Sequence, residues 1–163
     1  MKTYAHARQR PLSILIMAMA MLVMSVAPVG AAPGNTQVSG QTNFNECSDM
    51  DADYAFAIQG DLDGCVYGFI TKALFHEGSG TYQEWADEVF IGSWGDLEGT
   101  FELTEFYTAK FTESFDLVFA RCKHPIKTGT GTGDFEGITG RLDFKDDVST
   151  GIAYYTGHLA INP

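Results

Sequence analysis

The sequence predicts an all-β protein. Apolar residues recur at every second position in one window after another. No window of a dozen residues sustains the 3.6-residue period of an amphipathic helix, and 18 glycines accompany 12 phenylalanines and 7 tyrosines. Six to eight short strands of this kind bury their apolar faces either as a sandwich or as a closed barrel.

The first 31 residues read as a secretory signal peptide rather than as part of the fold. His6, Arg8 and Arg10 precede Leu12–Ala27, a run of sixteen residues without charge, and Pro28, Gly30, Ala31 and Ala32 follow. Sixteen residues, two of them serine, fall short of the roughly 20 that span a bilayer. Export with cleavage after Ala31 is therefore expected, which places the protein outside the cytoplasm, secreted or periplasmic, with no membrane attachment afterwards. Residues 32–52 are rich in Gly, Asn, Gln, Ser and Thr and read as a flexible polar lead-in.

The folded domain is expected over residues 53–163. Tyr54, Phe56 and Ile58 alternate with small or polar residues, and Cys65, Tyr67 and Phe69 form a second set after GDLDG; the change from even to odd positions implies a bulge or turn near Gly60–Gly64. HEGSGTYQEW reads as a loop or hairpin and EVFIGSW as a short strand. The longest strand signal is GTFELTEFYTAKF, in which Phe101, Leu103, Tyr107, Ala109 and Phe111 share one face. SFDLVFARC follows with Phe115, Leu117 and Phe119 on one side. RLDFK then alternates Leu142 and Phe144 against charged residues, and DDVSTG turns into the last strand, IAYYTGHLAI.

Charge narrows the partners. Without residues 1–31 the chain keeps 21 acidic groups against 7 basic ones, a net charge near −14. Nucleic acid is excluded as a partner, because phosphate binding needs clustered Lys and Arg, and anionic membrane surfaces are disfavoured for the same reason. Homo-oligomerisation is left open. In an oxidising compartment two of Cys47, Cys65 and Cys122 should pair. Cys65 with Cys122 is the expected bridge, since both sit in or beside strands. No cysteine spacing suits a zinc knuckle.

The run TGTGTGDFEGITG fails as a phosphate cradle: Gly129, Gly131, Gly133, Gly137 and Gly140 miss the GxGxxG spacing, and a strand pattern follows rather than a helix. These glycines instead permit a sharp bend of the sheet. RCKHPIKTGTGTGDFEGITGRLDFKDD and YYTGHLAI resemble a group of secreted bacterial proteins of unassigned function. More distantly, GTGDFEGITGRLDF is similar to the GTGxFxGxxG signature of the allene oxide cyclase and dirigent barrel-like superfamily. That resemblance implies a single antiparallel β-barrel of about eight strands, able to hold a small molecule without a metal. It carries over no catalytic residue.

The candidate ligand-binding residues are Glu105, Tyr107, Arg121, Tyr154 and His158. Glu105 falls on the apolar face of its strand, so its carboxylate points inward and needs a partner or a raised pKa. Arg121, in line with Phe115, Leu117 and Phe119, is the expected partner. His158 lies near Tyr154 and Tyr155 on the final strand, whereas His124 precedes Pro125 and is read as a strand end. His76, His124 and His158 show no HxH or HExxH spacing, so no metal is expected. DMDAD lacks the Gly and Glu that a calcium loop needs at its sixth and twelfth positions, where Tyr54 and Gly60 stand. No cofactor is called for. The reading is an exported barrel that binds a small apolar or aromatic ligand, with a cofactor-free isomerase or cyclase, or a filled barrel serving as an interaction surface, as alternatives.

Overall fold

The computed structural model describes residues 35–44, 46–48 and 50–162; the expected signal peptide and its cleavage point lie outside them, as does Asp49 of the acidic run. The described residues form nine strands and no helix: β1 (Thr36–Asn43), β2 (Tyr54–Gly60), β3 (Leu62–His76), β4 (Thr81–Trp94), β5 (Leu97–Phe111), β6 (Leu117–Pro125), β7 (Thr132–Gly133), β8 (Ile138–Asp147) and β9 (Ile152–Ile161). Eight of them pair antiparallel in the order β4-β3-β2-β1-β9-β8-β6-β5, and β4 pairs with β5 to close the ring. The alternation thus resolves as a barrel, not a sandwich. The short β7 pairs with Gly99 and Thr100 of β5.

β1 corrects the expectation of a flexible lead-in. Its composition is polar, but it is hydrogen-bonded along both edges, to β2 and to β9. A strand held on two sides needs few apolar side chains, and Val38 and Thr42 suffice as its buried residues. Backbone pairing, which a polarity pattern does not report, decides the matter.

The predicted change of face between β2 and β3 is also corrected. Tyr54 lies opposite Gly68, Phe56 opposite Val66 and Ile58 opposite Gly64, so even positions point inward on both strands. Leu62 and Val66 join the core, and Cys65, Tyr67 and Phe69 fall on the other face. Glycine misled the pattern: a Cβ on Gly68 would lie 2.0 Å from the Tyr54 ring, so the inward position must be empty for that ring to fit.

The disulfide joins Cys47 to Cys65, not Cys65 to Cys122, and Cys122 is a free thiol. Cys65 stands on the outer face of β3 while Cys122 points into the barrel from β6. Two cysteines on opposite faces of a closed sheet cannot meet. The bridge spans 18 residues of sequence. A double Cys47→Ser, Cys65→Ser variant is expected to lose about 3 kcal/mol from loop-closure entropy, read as a lowered urea midpoint; an unchanged midpoint would show that β1 needs no tether.

The glycine run closes one end of the barrel. Phe135, fully buried, packs its ring at an angle against Phe90 and edge-on against Phe101, at centroid distances of 6.1 and 5.4 Å. The chain can turn tightly around it because Gly137 sits at φ +77°, where a side chain would be strained, and its carbonyl accepts a hydrogen bond from Asn162 N. The expected bend is therefore a plug that fills the barrel from below.

Candidate functional site

The β4–β5 ladder shows what happens above the plug. Inward pairs run in the order Phe90–Phe101, Glu88–Leu103, Ala86–Glu105, Glu84–Tyr107 and Tyr82–Ala109. The first belongs to the aromatic plug; from Glu88 upward, acids and phenols enter the wall. β6 continues this layer. Tyr107 pairs with Cys122 and Leu103 bridges to Ile126, so Glu105 lies opposite His124.

The deepest polar side chain is Glu88, 0% exposed. Its Oε2 lies 2.5 Å from His124 Nδ1, and its Oε1 lies 2.9 Å from the Tyr54 hydroxyl. That same hydroxyl is 2.9 Å from Glu105 Oε2. One phenolic proton cannot serve two carboxylates, so one of the two contacts requires a carboxyl that keeps its own proton. Glu105 is suited to that part: burial first, and then the neighbouring Glu88, push its pKa from the ordinary 4.5 up to about 7, against the opposing pull of His124 and of the Tyr54 hydrogen bond. His124 is 1% exposed, and with Nδ1 given to Glu88 its Nε2 is enclosed without a hydrogen-bond partner. Burial, followed by the charges of Glu105 and Glu88, raises the Cys122 thiol well above its usual range. Burial likewise raises Tyr54 and Tyr107.

Tyr54, Glu105, Cys122 and His124, with Glu88 behind them, form the floor of a cavity of about 210 Å³. Its walls are the rings of Phe44, Tyr54, Phe56, Tyr82, Tyr107 and Phe144, with the carboxyls of Glu84, Glu105 and Asp146 and no lysine or arginine. Tyr82 donates a hydrogen bond to Glu84 within this wall. Larger hollows, about 720 Å³ beside Arg121 and about 560 Å³ beside Tyr154, are lined mostly by outward side chains. Size alone would select them, but enclosed polar groups converge only on the interior cavity among those described, and that convergence marks a site.

Of the residues singled out from sequence, Glu105 and Tyr107 stand in this wall. Arg121 does not: it is exposed on the outer face, its guanidinium 5.9 Å from the Phe119 ring centroid, and Glu105 finds Tyr54 instead. The register shift at Lys110/Phe111 and the positive φ of Phe115 turn Phe119 and Arg121 outward, leaving Ala120, Cys122 and His124 inside. Tyr154 is 45% exposed and His158 also faces out, because Tyr155 takes the inward position of β9. Sequence reasoning missed Glu88, His124 and the placement of Cys122. A signal existed in the two-residue spacings Glu88–Phe90 and Cys122–His124. In the acidic run, Asp53 accepts a hydrogen bond from Ile70 N at 2.7 Å.

The raised pKa of Glu105 sets a pH dependence for the metal-free protein. The fold favours the neutral carboxyl, so between pH 4.5 and about 7 the folded chain keeps a proton that the unfolded chain has released. Stability is fully present below that window, falls as pH rises through it by about 3 kcal/mol, and is flat above it. Glu88, His124, Tyr54, Glu84 and Cys122 face this carboxyl. Urea unfolding in chelator from pH 4.5 to 8 should show the fall, and Glu105→Gln should remove it. An identical slope in both proteins would place the proton elsewhere.

No protein-family model matches the chain, and no curated protein does. Among solved structures, a protein of unknown function from the DUF3224 family of Shewanella oneidensis is similar, with a TM-score of 0.58 at 17% identity over 80% of this chain and 100% of that one. At that identity the likeness is one of fold: the chain shares with that protein a β-barrel architecture.

Proposed function

We propose that the barrel binds a small apolar or aromatic molecule with a polar end, in a compartment outside the cytoplasm. The observation that carries this reading is the interior cavity itself, six aromatic rings around a floor where Tyr54, Glu105, Cys122 and His124 converge. Its volume, about 210 Å³, lies below the roughly 300 Å³ at which drug-sized sites begin, so the fitting ligand is about one ring in size. The walls suit a flat apolar body, and the acids suit a donor or cationic end, which aromatic faces also attract. The similarity of GTGDFEGITG to the allene oxide cyclase and dirigent signature supports the same use of the interior, and the Cys47–Cys65 bridge is consistent with export.

Benzylamine and p-cresol are suitable probes. Ligand-observed NMR on the full chain should show both binding, with benzylamine weakened at least about tenfold by Glu105→Gln, the loss expected for a charge-assisted hydrogen bond. No binding of either at millimolar concentration would overturn the reading.

One observation favours a second reading, a cofactor-free isomerase. A carboxyl with a pKa near 7 beside a phenol and an imidazole is placed for proton transfer. Solvent deuterium appearing in a bound carbonyl compound, and absent with Glu105→Gln, would distinguish catalysis from binding.

A further inference from the structure

We propose that Glu105, Cys122 and His124 form a binding site for a divalent transition-metal ion of the zinc class on the cavity floor. One donor atom from each of the three residues lies within 4.8 Å of the others. Ligands of a tetrahedral zinc stand roughly 3.3–3.8 Å apart at ordinary zinc–ligand lengths, so small side-chain rotations close the set. The register supplies it: Cys122 and His124 are two apart on the inner face of β6, and Glu105 lies opposite on β5.

His124 provides the independent observation. Its Nδ1 is held by Glu88, and its Nε2 is buried and lacks a hydrogen-bond partner, in a residue that lines the cavity. An unpaired polar atom in such a place carries a desolvation cost that an ion would remove. The pairing of an imidazole with a second carboxylate behind it is also the arrangement that orients a metal-ligating histidine and raises its basicity. Glu88 is then a positioning residue, because it acts through His124.

Charge and donor type agree. The cavity holds Glu84, Glu105 and Asp146, with Glu88 behind them and neither lysine nor arginine in the lining. A cation relieves the mutual repulsion of these acids. Thiolate with imidazole selects zinc and its neighbours over calcium or magnesium, which take all-oxygen ligands. Three protein ligands on a cavity wall leave a fourth position that faces the cavity, as in zinc sites that accept an exchangeable molecule. This inference needs no organic ligand, so its failure and that of the small-molecule reading are separable.

The test uses the full chain with its Cys47–Cys65 bridge intact, freed of metal by a chelator and titrated with zinc chloride or cobalt chloride. One equivalent should bind, and cobalt should give a thiolate charge-transfer band with the ligand-field absorption of a four-coordinate site. Cys122→Ala should abolish the charge-transfer band and weaken zinc by more than about 100-fold. Glu88→Gln should keep the band and weaken zinc about 10–100-fold, the range for a residue behind a ligand. Circular dichroism checks that each variant keeps its β spectrum. No uptake by the unmodified chain at micromolar free zinc, or uptake equally tight in Cys122→Ala and Glu105→Gln, overturns the proposal. In either event the benzylamine and p-cresol measurements stand on their own.

Discussion

Glu88→Leu alone is expected to lower the unfolding free energy by about 3–5 kcal/mol, the cost of stranding one member of a buried pair. The Glu88 and His124 side chains are 0% and 2% exposed, so neither can turn to water when its partner is removed. Leucine would also take one hydrogen-bond acceptor from Tyr54. The double variant Glu88→Leu, His124→Leu should recover most of that loss, since two apolar residues of similar size in place of a buried pair are often neutral or stabilising. Urea unfolding of the two single variants and the double variant, in chelator, gives the coupling directly. A cost below about 1 kcal/mol for Glu88→Leu would mean that the carboxylate reaches water and that the pair is not enclosed. The outcome bears on function as well: residues that a stable barrel could replace with leucine at little cost are kept for chemistry rather than for folding.

Phe135→Ala should cost about 3–5 kcal/mol, the range for truncating a fully buried aromatic. The ring is 0% exposed against Phe90 and Phe101, which stand 4.7 Å apart between centroids. Its backbone is fixed on both sides, with Asp134 N donating to Glu98 O, Phe135 N to Thr132 O and Ile138 N to Phe135 O. The loop therefore cannot collapse into the hole that alanine leaves. Phe44→Ala at the opposite end offers the contrast, because that ring is 58% exposed and surface truncations stay within about 0.5 kcal/mol. A matching pair of small losses would show that the glycine-rich segment lies on the barrel without filling it. A large loss at Phe135 beside a small one at Phe44 locates the stability at the plugged end and leaves the cavity end free to serve a ligand.

Along β5 the two-residue period was enough to place a carboxyl inside. Phe101, Leu103 and Ala109 are apolar at alternate positions, and Glu105 and Tyr107 continue their row into the cavity wall. On β3 and β6 the same rule pointed to the wrong face. Glycines at the inward positions of β3 left the larger side chains on the outside, and the shift between Leu117 and Phe119 put Phe119 and Arg121 on the outer face. In each case the side chains present could not reveal which face their neighbours would cover.

By itself the sequence determined that the chain is built of strands, that Thr128–Gly140 is a bend and not a phosphate loop, and that Glu105 and Tyr107 share an apolar face. Only the tertiary structure decided that β1 completes the ring, that Cys47 takes Cys65, and that Glu88, Glu105, Cys122 and His124 converge above a filled base. Alternation is a local property, fixed by the geometry of one strand. Convergence depends on how three strands are staggered against one another, and that stagger is set by backbone hydrogen bonds, bulges and absent side chains.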